Sequence, residues 1–125
     1  MTEARADLHV KLRAVCLALP EVTERLSHGA PTFFVRSKRV VCMLVEDDEH
    51  DHGIALWVPA PTGVQEQAVE TEPARFFRPP YVGHLGWLGV RLDVDPDWDE
   101  IEAIVREGYR LVAPKALALR LETGG

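Results

Sequence analysis

Apolar residues recur at helical spacing near the start of the chain. Leu8, Leu12, Val15 and Leu19, with Cys16 beside them, mark a helix over residues 3–19. Thr2 is placed to cap it, Glu3 suits its positive end, and Pro20 stops it. Residues 21–31 read as a connector, punctuated by Gly29 and Pro31. The pattern then changes to that of strands. Residues 32–35 are aromatic and β-branched, 36–39 (Arg-Ser-Lys-Arg) form the polar turn of a hairpin, and 40–45 make a second strand. An acidic loop over 46–52 leads to a third strand at 53–58. The second strand is apolar at every position, as in strands covered on both faces by helices or by a partner chain.

Pro59 and Pro61 end the third strand, and residues 62–71 read as a short helix. Thr62 is its expected cap, Glu66 sits near its first turn, and Val64, Ala68 and Val69 face inward. Residues 75–78 suggest a short strand interrupted by Pro79-Pro80, and 86–92 a further strand. Asp95-Pro96-Asp97 opens the last helix, with Ile101, Ile104, Val105, Tyr109 and Val112 as its apolar stripe and Pro114 as its end. Leu117, Leu119 and Leu121 form another helical turn or a packed tail. The order is α-β-β-β-α-β-β-α. Segregated strands and helices predict one α+β domain over 1–125, with a mainly antiparallel sheet of about five strands. Leu12, Val15, Leu44, Leu56, Trp87, Ile101 and Val105 are its expected core.

Composition narrows the function classes. A chain of 125 residues is large enough to fold without disulfides or metal. No apolar run approaches the ~20 residues that span a bilayer. The start lacks the basic and apolar regions of a signal peptide, so cytoplasmic residence is expected. Cys16 and Cys42 sit on apolar patterns and read as small, reduced core residues. A net charge of −6 opposes general affinity for nucleic acid, which depends on basic residues displacing counterions. The acidic excess lies in two clusters, Glu46–Asp51 and Asp93–Glu102.

Several segments together carry a resemblance. They are Leu17-Ala18-Leu19-Pro20-Glu21-Val22-Thr23-Glu24, His28-Gly29-Ala30-Pro31-Thr32-Phe33-Phe34-Val35, Pro79-Pro80-Tyr81-Val82-Gly83, Gly86-Trp87-Leu88-Gly89-Val90-Arg91-Leu92 and Tyr109-Arg110-Leu111-Val112-Ala113-Pro114-Lys115. In this order, across about residues 14–118, the chain resembles the MmcQ/YjbR family of small bacterial proteins. The resemblance implies a fold similar to the type III secretion chaperones. It also implies DNA binding through two projecting wing-like elements, a label that rests on fold comparison. It carries no catalytic residue set.

Two groups of residues are candidates for binding. Arg36, Lys38 and Arg39 share the hairpin tip, either as a wing that meets phosphates or as a solvated turn whose charges oppose aggregation. Arg75, Arg78, Tyr81, His84, Trp87, Arg110 and Lys115 offer an anion or small-ligand pocket, or else a core edge covered by Arg and Lys stems. Elsewhere a structural role is the better reading. The Asp93, Asp95, Asp97, Asp99 run lacks the Gly and terminal Glu of a calcium loop and suits helix capping. Glu49, His50, Asp51 and His52 lack the distant ligands of a closed metal site. The glycines from Gly83 to Gly89 suit a tight turn rather than a nucleotide loop. Ser27-His28 lacks the surroundings of a nucleophile. The chain has no complete catalytic or metal signature, and no cofactor is expected. The expected role is a non-catalytic binding domain, with weak, salt-sensitive DNA binding as its sharpest form. A protein-interaction module is the alternative, and an enzyme or binder of small anions near Trp87 ranks third.

Overall fold

The computed structural model describes residues 2–47 and 53–123. Helix α1 (Thr2–Leu17) leads into four strands: β1 (Val22–Ser27), β2 (Ala30–Val35), β3 (Arg39–Asp47) and β4 (Gly53–Val58). Helix α2 (Val64–Thr71), the short β5 (Phe76–Phe77) and β6 (Leu88–Arg91) follow. Helices α3 (Trp98–Val112) and α4 (Lys115–Thr123) come last. The strands form one antiparallel sheet in the order β1-β2-β3-β4-β6-β5. The α+β class therefore stands, with six strands in place of about five.

The sixth strand is β1, which falls where a connector was expected. Its residues Val22-Thr-Glu-Arg-Leu-Ser carry little apolar alternation because it is an edge strand and largely exposed. Pairing holds it in place instead, from Val22 opposite Val35 to Ser27 opposite Ala30. Gly29, at φ 80°, makes the tight return in a conformation that costs glycine little. Side chains add a clamp from α1. Arg13 Nε donates to Glu24 Oε1 at 2.6 Å, and His9 Nε2 lies 2.8 Å from Glu24 Oε2.

Other boundaries move for local reasons. Gly63, at φ 88°, precedes α2 without any side-chain cap, so Thr62 does not fill that role. On α2 the buried residue is Gln65, while Val64 is exposed. The strand expected at 75–78 shrinks to Phe76–Phe77, since Pro79 and Pro80 have no N–H for a ladder. The strand expected from residue 86 starts at Leu88, because Gly83–Leu85 form a 3₁₀ turn closed by Gly86 at φ 88°. The leucines after Pro114 belong to a helix, α4.

Alternation along the strands gives the sheet two unlike faces. The first is covered by helices. Leu12 and Cys16 of α1, the stripe Ile101, Val105, Tyr109 and Val112 of α3, and Leu117 and Leu121 of α4 pack there on Phe33, Cys42, Leu44, Leu56, Val58 and Val90. The second face carries a smaller cluster of Ala55, Trp57 and Phe77, with Met43, Val45, Val82 and Trp87 against it. Trp87 thus belongs to this second cluster and is only partly buried, in contrast to its expected place in the main core. In the register of that face, Met43 lies opposite Trp57, Trp57 opposite Gly89, and Gly89 opposite Phe77. A Cβ at Gly89 would stand 2.5 Å from the Phe77 ring, so glycine lets that ring lie across β6.

Candidate binding site at the basic end of the sheet

The strand register sorts charge to opposite ends of the sheet. Val35 pairs with Arg39 and Val58 with Leu88, which brings the β2–β3 turn, Pro59-Ala60 and Trp87 to one end. Asp47 pairs with Gly53, and Leu92 N donates to Ile54 O at 3.0 Å, which gathers the acidic segments at the other.

The β2–β3 turn is tight. Arg36 and Ser37 both take left-handed conformations, and Lys38 N donates to Val35 O at 3.1 Å. Arg25 lies over the Phe34 ring at 3.7 Å and donates to Ser37 O at 3.2 Å. Arg36 Nε donates to Glu21 Oε1 at 3.1 Å, with Arg120 Nη1 4.0 Å from Glu21 Oε2. Arg25 and Arg36 therefore serve the turn itself. Lys38 and Arg39 are exposed and make no ion pair among the described residues.

Beside those two cations lies a surface cleft of about 440 Å³. Val40, Pro59 and Ala60 line it from the strand ends, Leu85 and Trp87 from the glycine-rich segment, and Leu111 and Val112 from α3. Two local features build it. At Gly108 a Cβ would meet Val58 Cγ2 at 2.7 Å and Pro59 O at 2.9 Å, so glycine lets the end of α3 settle on β4. Gln65 Nε2 donates to Gly83 O at 2.8 Å and to Trp87 O at 2.5 Å, which fixes the segment bearing Leu85 and Trp87. Tyr109 OH donates to Pro20 O at 2.8 Å, tying α3 to the end of α1, and burial pushes the hydroxyl pKa up. The cleft is thus open to solvent and lined mostly by apolar side chains, with two cations on its rim. Leu85 and Leu111, 62% and 47% exposed, stand on its edge.

The residues expected to share a pocket are dispersed. Trp87 lines the cleft. Arg75 sits toward the acidic end, where it pairs with Glu72 and Glu100. The Arg78 stem packs over Gly83. Tyr81 is 77% exposed, and His84 is exposed too. Arg110 lies along α3 near Glu107 and lines a separate hollow with Asp99 and Arg106, and Lys115 is exposed at the start of α4. Trp87 instead shares the lining of one cleft with Lys38 and Arg39 from the hairpin tip. Leu85, Leu111, Pro59 and Gln65 were not foreseen. Leu111 did carry a signal, as an apolar residue off the buried stripe of its helix.

The remaining candidates resolve into structure. Asp97 caps α3 by accepting from Asp99 N at 3.1 Å and Glu100 N at 3.3 Å. Asp93 Oδ2 accepts from Ile54 N at 3.4 Å. Ser27 ends β1, and His28 sits in the following turn at φ 52°. The Cys16 and Cys42 sulfurs lie 3.4 Å apart in the core, where burial pushes the Cys42 thiol well above its ordinary pKa and disfavours a thiolate. Glu49, His50, Asp51 and His52 lie outside the described residues. Among the described residues, no three or more His, Cys, Asp or Glu are grouped to hold a metal, and no helix is long and apolar enough to cross a membrane.

A family model described as YjbR matches residues 17–111. No curated protein matches the chain. Among solved structures, the chain is similar to the Deinococcus radiodurans protein DR2400, described as a DUF419 family-model domain. The TM-score is 0.68 at 22% identity, over 90% of this chain and 85% of that one. At that identity the likeness speaks for the fold alone.

Proposed function

The chain belongs to the YjbR family, and from that premise we propose that it is a non-catalytic binding domain that takes an anionic protein partner at the basic end of its sheet. One observation carries this reading: Lys38 and Arg39 flank an apolar cleft, and no ion pair among the described residues occupies them. Cations beside an apolar hollow match the usual anatomy of a protein interface, an apolar centre with a polar rim. The same reading keeps the protein in the cytoplasm, where its two unlinked thiols stay reduced.

DNA is the second reading, supported by the grouping of Arg36, Lys38 and Arg39 at one projecting turn. It is weaker because Arg36 already pairs with Glu21. Two remaining cations on a chain of net charge −6 release few counterions.

The test is a titration of the intact protein with poly-glutamate and with a duplex DNA at several salt concentrations. Poly-glutamate binding is expected at low salt, and reversing both charges with Lys38→Glu and Arg39→Glu should abolish it. If duplex DNA binds instead, the double variant should lower its salt slope by about 2, since each neutralised phosphate adds about 0.9 to that slope. Absence of binding to both polyanions at low salt would refute the reading.

A further inference from the structure

We infer that the cleft is an anchor site: it receives one large apolar side chain from an acidic peptide segment of a protein partner. This deepens the binding reading above and rests on it. The cleft, at about 440 Å³, lies within the range for ligand pockets (~300–1,000 Å³) and has room for a large side chain. Interfaces concentrate their energy in such an anchor, placed in a desolvated hollow and ringed by polar contacts.

Three observations select a peptide. Leu85 and Leu111 line the cleft yet stay largely exposed, so a chain that fills it and continues over its edge would cover more of them than a small molecule would. Phosphates of a duplex would engage Lys38 and Arg39 but gain nothing from Leu85, Trp87 or Leu111. The third observation is charge. The carbonyl end of α3 and the N–H end of α4 adjoin at Ala113-Pro114, so their partial charges offset and leave the two side-chain cations to set the sign. A carboxylate-rich segment is attracted there. It is repelled by the rest of a chain of net charge −6, so charge steers it to this end as well as holding it.

The experiment uses the intact protein and two synthetic peptides, acetyl-Asp-Glu-Phe-Asp-Glu-amide and the same peptide with Ala in place of Phe. Binding is followed by NMR titration, with the Trp87 indole N–H as the local reporter. The Phe peptide should bind about tenfold tighter than the Ala peptide, as expected for partial burial of an aromatic ring. Lys38→Glu with Arg39→Glu should weaken both peptides. Leu111→Ser, an uncharged change at an exposed position, should remove only the Phe advantage. Equal affinity for the two peptides, still abolished by charge reversal, would overturn the anchor and leave the binding reading standing. No binding of either peptide, with poly-glutamate also inert, would end both. Duplex DNA binding more tightly than the Phe peptide at about 0.15 M salt would assign the surface to nucleic acid and overturn the inference.

Discussion

Where β4 begins and α3 starts, three carboxylates have partners within the fold. Asp97 caps α3, Asp93 accepts from the Ile54 backbone, and Glu100 pairs with Arg75. At the opposite end Arg36 is engaged by Glu21, while Lys38 and Arg39 have no ion-pair partner among the described residues. Acidic residues are the more numerous in the sequence, yet these three carboxylates serve helix and sheet. The smaller basic group stands beside an apolar cleft. Charge density alone therefore says little about where a molecule meets its partners. What matters is which charges the fold has already used.

Substitutions can sharpen that contrast. The largest effect is expected where the basic end is also structural. Trp87→Ala should destabilise by about 2 kcal/mol, below the ~3–5 kcal/mol for a fully buried aromatic, because the ring is only partly covered. An unchanged denaturation midpoint would mean that Trp87 serves the cleft alone. Asp97→Ala should cost about 1 kcal/mol through removal of the α3 cap. If it costs nothing, the acidic end is no more structural than the basic one.

Glu24 tests the clamp on β1, away from both clusters. The hydrogen bond from Arg13 holds its carboxyl below the ordinary range. Such a group stabilises the fold above its unfolded pKa and gives up that contribution as pH falls through the lower folded value. Glu24→Gln should therefore cost under about 1 kcal/mol at neutral pH, with the gap from the native protein closing under acid conditions. A gap that widens as pH falls would reverse the sign and dismiss the clamp. The smallest effect should come from Lys38→Ala with Arg39→Ala, within about 0.5 kcal/mol by denaturant titration, as for exposed side chains without partners. A larger effect would mean that the fold uses these cations after all.

Much of the fold was legible because it depends on local pattern. The α3 stripe of Ile101, Val105, Tyr109 and Val112 lies on the helical period and is buried. The β2–β3 hairpin and the Asp97 cap were likewise readable from neighbouring residues. The edge strand β1 was not, since its polar residues are held by pairing to β2 and by a clamp from α1. The Gln65 latch was equally hidden, because its acceptors are the backbone carbonyls of Gly83 and Trp87.

The sequence by itself determined the α+β class, the helix periods, the main turns and the family. These follow from side-chain spacing and backbone preferences that act over a few residues. Tertiary structure alone decided which charges remain for a partner and which apolar residues stand beside them. Lys38, Arg39, Trp87 and Leu111 come from distant segments, and antiparallel register together with the close seating of α3 at Gly108 sets them around one cleft. No local pattern encodes that meeting, because it depends on how whole elements pack.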